Sequence, residues 1–527
     1  MPSVSVTKRW PMMSEHAPPR AEHLNAAPRP GESVQRPIRI ERTSARTDKV
    51  FTSLCVLTSL LVSGCDLSPH YQRPPLPVRA AWETAHDTSS NTHAIRDITT
   101  LSWREFYQDK RLQALIDIAL RNNRDLQKQA AAVLEAQGQY QVQHGSLFPK
   151  ISTSANSIYV NPSSTLNVNP VSALGNGLDP LKAYTVGIGF SSYEIDFFGR
   201  IRNLTRQQAE SALSSEFNRR SLTISIVSQV GSTYLGWLAD QKQKDLAENV
   251  LSSQKQTLAL VKARLVHGES DTLTVSEVET QVAQAEANRQ QAIRQTAQDE
   301  HQLELLIGSP LPETLPPAAP FGSQTILDDI PAGLPSTLLG NRPDILAAEH
   351  ILKASNANIG AARAAFFPRV TLTAYEGGGS LQFRHLFTPG AEIWAINPSI
   401  SLPLLSWGQN EGNLKISKAR KQEEIADYEK TIQTAFKEVS DALTARDTYL
   451  KQGEQQELFV MSSQKAYDVS LIRFKTGNDS YLSALVHQRS LYAAQQSLIA
   501  VQLARYQNLI TLYRALGGGW SDASAKK

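Results

Sequence analysis

Cysteine is almost missing. The 527 residues hold two, Cys55 and Cys65, and two cannot build a disulfide framework. Methionine is nearly as scarce at four, and Met461 alone follows Cys65, so the chain has no Met-rich tract of the kind that holds soft copper or silver ions. Catalytic signatures are absent too: there is no G-x-x-x-x-G-K-S/T, G-x-S-x-G, H-E-x-x-H or C-x-x-C, and the 11 histidines are scattered. An enzyme would have no residues to stand on. Neither sign of charge dominates. A net charge of +3, 41% hydrophobic residues and a mean hydropathy of −0.31 give no pull towards nucleic acid and name no partner. Outside residues 50–62 no apolar run approaches the roughly 20 residues that a membrane-spanning helix needs, so any membrane span is β or there is none.

The exception, FTSLCVLTSLLV from Phe51 to Val62, has the length of a signal-peptide core and follows a basic segment with Arg36, Arg39, Arg42, Arg46 and Lys49. It reads as an export signal. Val62-Ser63-Gly64-Cys65 then looks like a lipoprotein cleavage box. Cys65 becomes the expected N-terminus of the mature chain and the carrier of its covalent lipid, palmitate included, while Cys55 leaves with the signal. A buried helix with incidental cysteines is the plainer alternative. The signal begins about 35 residues in, which an upstream start codon assigned in error would explain. A genuine Pro-, His- and Ala-rich extension without periodicity is the other explanation.

The chain says itself twice. Asp196-Phe-Phe-Gly199 has a counterpart in Leu405-Ser-Trp-Gly408, Arg264-Leu-Val-His-Gly268 in Arg473-Phe-Lys-Thr-Gly477, and Leu306-Ile-Gly308 in Ala515-Leu-Gly517, with each glycine pair 209 residues apart. Upstream the offset is 219: Asn123-Arg-Asp125 pairs with Arg342-Pro-Asp344, and Leu147-Phe-Pro149 with Phe366-Phe-Pro368. One insertion explains both offsets, and the Asn/Pro/Ser/Gly-rich stretch VNPSSTLNVNPVSALGNGLDP has the composition of the loop that holds it. Each half therefore has a helix, two extended segments, a very long helix, a turn at a glycine and a second long helix.

Ile425, Tyr428, Ile432, Ala435, Val439, Ala442, Arg446 and Tyr449 alternate steps of three and four, and so do Leu482, Leu485, Arg489, Tyr492, Gln496, Ile499, Leu503, Tyr506, Ile510 and Tyr513. This is a heptad stripe. No proline interrupts Ile201 to Val266, and a helix of about 65 residues reaches roughly 100 Å, wider than an ordinary globular core. The pattern predicts an extended helical tube or bundle.

Residues 150–160, 184–196, 369–379 and 391–404 are rich in Thr, Ser, Tyr, Val and Ile with partial alternation, and each has about the nine to eleven residues of a membrane-crossing strand. Four strands close no barrel, and open edges in lipid leave backbone groups unpaired at several kcal/mol each. Several chains would have to share one barrel; a small soluble β-domain fits the segments on their own. Tyr159, Tyr184, Tyr193, Tyr375 and Trp394 are expected near strand ends as an aromatic girdle, and Gly377-Gly-Gly379 as a turn after a strand.

The cleavage box followed by Pro69-His-Tyr71-Gln-Arg73-Pro74-Pro75-Leu-Pro77, the segment Asn341-Arg342-Pro343-Asp344-Ile345, the Arg-x-x-x-Gly turns and the ending Leu512-Tyr-Arg-Ala-Leu-Gly517-Gly-Gly-Trp520 resemble the TolC-type outer membrane factors. The resemblance is to the lipid-anchored branch named after NodT and OprM, and it covers about Cys65 to Trp520. It implies an α+β membrane protein in which a duplicated unit gives four strands to a trimeric, twelve-stranded outer-membrane β-barrel and long coiled-coil helices to a periplasmic α-barrel. The implied role is the exit duct of a tripartite efflux system, passive and without a cofactor beyond the lipid on Cys65. Its implied partners are two further copies, outer-membrane lipid, a periplasmic adaptor and an inner-membrane transporter of the resistance-nodulation-division class, with no nucleic acid.

By the same resemblance, Arg264, Gly268, Asp271, Arg473, Gly477, Asp479, Leu482 and Val486 mark the periplasmic gate and adaptor-docking hairpins, Leu482 matching a constricting apolar ring. The chain departs from the pattern at Ala484-Leu485-Val486, where many relatives carry Leu-Leu-Asp, and at Thr274, where the first hairpin often has an aspartate. Asp271 and Asp479 either lend negative charge nearby or simply keep their turns solvated. Asp66 is a third departure. Directly after a lipidated cysteine, aspartate usually retains a lipoprotein in the inner membrane of enteric bacteria, so an outer-membrane destination requires that signal to be overridden.

The expected organisation is 1–64 extension and signal, 65–108 lipidated Pro-rich segment, 109–309 first repeat, 310–340 linker, 341–517 second repeat and 518–527 tail. Competing readings are a duct for protein secretion or metal-ion export, and a membrane-anchored coiled-coil scaffold with no channel.

Overall fold

The computed structural model describes residues 66–79, 101–160, 181–322, 326, 340 and 342–519, all within the unit Ser63–Lys527. The export signal, Cys65, the loop at 161–180, most of the 310–340 linker, Asn341 and the tail from residue 520 lie outside the described residues.

Short helices set by their caps lead into the first repeat. Ser102 and Glu105 form a reciprocal capping box on α1, Trp103–Phe106. Asp109 accepts from the Arg111 and Leu112 N–H groups at the start of α2, Lys110–Asn122, and Asn123 caps α3, Arg124–Gly145. Then follow β1 (Ser152–Val160), β2 (Leu181–Ile195), α4 (Arg200–Val266) and α5 (Thr272–Ile307). The second repeat begins at α6, Pro343–Ala364, with proline at its first position, where a missing N–H costs nothing. It continues through β3 (Arg369–Ser380), β4 (Glu392–Ser401), α7 (Gln409–Lys475) and α8 (Tyr481–Ala515).

Helices α3 and α6 are both 22 residues, and α4 and α7 both 67. At 1.5 Å per residue the latter pair run about 100 Å. The glycine pairs explain the match. Gly199 and Gly408 precede the long helices at φ 73° and 83°, and Gly308 and Gly517 follow the last helices at 72° and 84°, all in the left-handed region that favours glycine. At Gly308 space excludes a side chain as well, because a Cβ would run into the Asn122 carbonyl.

The strands form one antiparallel sheet in the order β1-β2-β3-β4. A bulge interrupts the β2–β3 ladder between Phe190 and Tyr193, and there Ser192 takes φ 55° while its N–H donates to Thr373 Oγ1. β2 starts at Leu181, three residues before the expected 184. Two expectations are corrected. Tyr375 is not near a strand end but in mid-β3, facing Gly189 and Ala395. Gly377-Gly-Gly379 is not a turn: the glycines continue β3, with Gly377 opposite Gly187 and Ile393. A Cβ at Gly377 would strike the Val186 carbonyl, so close backbone approach is what these glycines provide.

The main core gathers where α1 and α2 pack on the long helices. Phe106 stacks on Tyr513 with ring centroids 4.0 Å apart, Tyr107 meets Phe106 edge-on, and the Tyr513 hydroxyl donates to the Leu101 carbonyl at 2.7 Å. The heptad stripe runs into it: Tyr428, Ile432, Ala435, Val439 and Ala442 of α7 and Ile499, Ile510 and Tyr513 of α8 are buried. Each large side chain so covered contributes about 1.5–3 kcal/mol. Beyond Leu443 the buried positions of α7 are Ser463, Ser470 and Phe474, so the bulky stripe gives way to two serines before a single aromatic residue next to the hairpin. No helix among the described residues is long and apolar enough to cross a membrane.

Candidate functional site

Two helical hairpins, α4–α5 and α7–α8, end in the same turn. Gly268 and Gly477 sit at φ 77° and 78°. After each glycine the next N–H returns to the arginine carbonyl, Glu269 to Arg264 and Asn478 to Arg473, both at 2.8 Å. These bonds close the helix ends in the manner of a Schellman cap.

Between the hairpins lies a small second core of Val261, Val278, Phe474, Tyr481, Ala484 and Leu485. A buried polar chain continues it: the Tyr481 hydroxyl donates to Gln254 Oε1 at 3.1 Å, and Gln254 Nε2 to Gln488 Oε1 at 2.6 Å. Burial, then Tyr467 nearby, pushes the Tyr481 hydroxyl up to about 12, so it stays a donor. Periodicity read for apolar residues passes over Gln254. The signal existed nonetheless, since Ala247, Leu251, Gln254 and Val261 form a buried heptad row with one polar member.

The sequence-predicted residues divide. Arg264 crosses from one hairpin to the other, donating to the Phe474 carbonyl at 3.2 Å and the Lys475 carbonyl at 2.6 Å, with its guanidinium 5.1 Å from the Phe474 ring centre. It caps the C-terminal end of α7. Its repeat partner Arg473 stays within its own hairpin, 3.6 Å from Asp479. Asp271 caps α5 by accepting from the Thr274 N–H at 2.7 Å, a bond that holds its carboxyl below the usual range. Asp479 accepts from the Ser480 N–H at 2.8 Å. Both acids are thus engaged at their turns. Leu482 and Val486, one turn apart on α8, are 59% and 55% exposed. With Val266, Leu273, Val469 and Ile472 they leave an uncovered apolar surface at the hairpin end.

At the sheet, β1 and β4 each pair on one side only, and Ser152–Tyr159 and all ten residues of β4 are exposed. Two open edges of this kind are templates for further strands.

The family model of outer membrane efflux proteins matches residues 115–309 and 334–518. The chain is 40% identical over 472 residues to the solvent efflux pump outer membrane protein SrpC of Pseudomonas putida, covering 89% of this chain and 99% of that one. Among solved structures, a membrane protein from Pseudomonas aeruginosa superposes at a TM-score of 0.80 with 35% identity, over 88% of this chain and 100% of the other. The open state of the Neisseria gonorrhoeae MtrE outer membrane channel matches at 0.77 and 34% identity, over 87% and 99%. The mostly helical, duplicated chain with its four-stranded sheet has the fold of a TolC-type channel that extends from the outer membrane into the periplasm. It is a channel and not an enzyme, and it belongs to the outer membrane efflux protein family.

Proposed function

We propose that three copies of this chain close one twelve-stranded barrel and one helical tunnel, forming the outer-membrane exit duct of a tripartite pump for small apolar molecules such as drugs and solvents. The open edges of β1 and β4 carry this reading: four strands cannot close, and pairing β1 of one copy with β4 of the next satisfies every ladder. Leu404, Leu405 and Trp407, exposed just beyond β4, suit an interfacial belt. Cys65 carries the lipid anchor. Conduction needs no cofactor and no bond chemistry.

The hairpin turns at Gly268 and Gly477 form the periplasmic end and meet a periplasmic adaptor through Arg264, Arg473 and their neighbours. Leu482 and Val486 narrow the duct there, and Asp271 and Asp479 hold the turns. The adaptor in turn links to an inner-membrane transporter of the resistance-nodulation-division class, which supplies the energy. Solvent export by the Pseudomonas putida relative supports the substrate class over protein secretion or metal export.

The test is a set of cysteine pairs at the two open edges, Thr153→Cys, Ala155→Cys or Ser157→Cys each with Ile396→Cys, residues that share one face of the sheet, in a chain whose mature part otherwise holds Cys65 alone. Oxidation should yield a covalent trimer that conducts ions in a planar bilayer. A monomer with no conductance would sink the shared-barrel duct and leave the coiled-coil scaffold.

A further inference from the structure

Residues 66–79 form a strap against α4 and α6. Asn356 Nδ2 donates to the Pro69 carbonyl at 2.7 Å, and Arg363 Nη1 to the Leu67 carbonyl at 3.0 Å. Tyr71 and Arg73 converge on Glu349, Arg73 with a fork of 3.2 and 2.5 Å. The Glu349 side chain is 4% exposed, so these donors, with Lys353, pair a charge that could not stand buried alone. At Gly360 a Cβ would meet Asn203 and the Ser68 backbone. A small residue there is what lets the strap lie so close.

At the head of the strap both oxygens of Asp66 are taken. Oδ1 accepts from the Ser68 N–H and from Asn203 Nδ2, each at 3.0 Å, and Oδ2 from Arg206 Nη1 at 2.9 Å. Asn203 is itself buried and also donates to the Gly199 carbonyl, which fixes its amide at the foot of α4. Burial alone would raise the Asp66 carboxyl, but the Ser68, Asn203 and Arg206 bonds outweigh it and hold it far below the usual range. Charge-assisted bonds of this kind are roughly twice as strong as neutral ones.

We propose that the Asp66–Asn203–Arg206 clamp withdraws this aspartate from lipoprotein sorting, so that a docked strap cancels the inner-membrane retention signal. The inference rests on Cys65 being lipidated. An aspartate beside a lipidated cysteine otherwise presents an open carboxylate at the membrane surface, ready to pair with a cationic headgroup or a sorting protein. Here its oxygens are filled by donors from the chain's own α4, even though the side chain is 43% exposed. Occupancy, not burial, does the masking. Retention then falls on chains whose strap has not docked, which ties delivery to folding.

The experiment expresses the full chain in an enteric host, where the aspartate rule operates, and follows radiolabelled palmitate and the partition between inner and outer membranes on a density gradient. The wild type should be labelled and band with the outer membrane. Asn203→Ala/Arg206→Ala should move severalfold more protein to the inner membrane, as should Asn356→Ala/Arg363→Ala, which frees the Pro69 and Leu67 carbonyls of the strap and leaves the clamp side chains in place. Adding Asp66→Ser should return each to the outer membrane. Clamp variants that stay in the outer membrane overturn the inference. So does a shift that Asp66→Ser fails to reverse, because the variants then fail through folding. A wild type without palmitate removes the lipid anchor itself, a result distinct from the other two.

Discussion

The two hairpins are built from one repeat yet are held differently. In α4–α5 the entering helix has a side-chain cap, Asp271 on Thr274, and its arginine reaches out to α7. In α7–α8 the entering helix has no side-chain cap at Ser480, and its arginine turns back to Asp479. The end of α7 thus rests on an arginine of the first hairpin, while Arg473 stays within the second. In the gating role proposed above, the asymmetry would make α4–α5 the fixed element and α7–α8, beside Leu482 and Val486, the releasable one.

The strongest way to break that dependence is to remove the packing between the hairpins. Phe474→Ala empties the small second core and should cost about 3 kcal/mol, read as a lower unfolding temperature in detergent and faster hydrogen exchange from Tyr481 to Leu485. If exchange rises equally in α5, the two hairpins are equivalent. Arg264→Ala comes next, at about 1–2 kcal/mol for two charge-assisted bonds to carbonyls. It should raise the resting conductance, whereas Arg473→Ala, with a side chain 60% exposed, should cost below about 0.5 kcal/mol and change conductance little. Equal effects would end the comparison.

How much of this was legible in the sequence follows from what leaves a periodic trace. The repeat was plain because left-handed turns demand glycine, and Gly199, Gly268 and Gly308 recur with their partners at one spacing. The long helices were plain because the stripe from Tyr428 to Ala442 is core. Mid-strand glycines were misread because Gly377 and Gly187 serve a close approach between neighbouring backbones, which no single strand reveals. The docking of the strap left no trace at all, although its residues stood out. Asp66 meets Asn203 and Arg206 across more than a hundred residues, and a hydrogen bond between distant polar side chains has neither period nor composition.

Higher in the first hairpin a further difference sharpens the comparison. Asp240 of α4 shares a hydrogen bond with Asp299 of α5, and burial and then this partner raise its carboxyl to about 7. The equivalent positions of the second repeat are Tyr449 and Asn508, so only the first hairpin carries an acid pair. With the native pKa above the unfolded one, the folded state keeps a proton that the unfolded chain releases. Stability from this pair is therefore complete in acid and lost as pH rises through about 7. Asp240→Asn should raise the unfolding temperature at pH values above 7 by an amount worth about 1 kcal/mol after solvent screening, by less than half of that near pH 5, and hardly at all below the unfolded pKa of 3.8. A gain equal at every one of these pH values would mean that the pair never shares a proton.

The smallest effect belongs to Asp271. Its carboxyl is held below the ordinary range by the Thr274 N–H, so its contribution is present above the unfolded pKa and fades as pH falls through the lower, folded one. The group is open to water, and Asp271→Ser, which keeps an accepting oxygen at the cap, should leave unfolding and conductance almost unchanged, while Asp271→Ala should loosen only the first turn of α5 in hydrogen exchange. If Asp271→Ser instead abolishes export with the hairpin intact, the charge itself is what matters there, and the first hairpin is a docking or gating element in its own right and not merely the fixed support of the second.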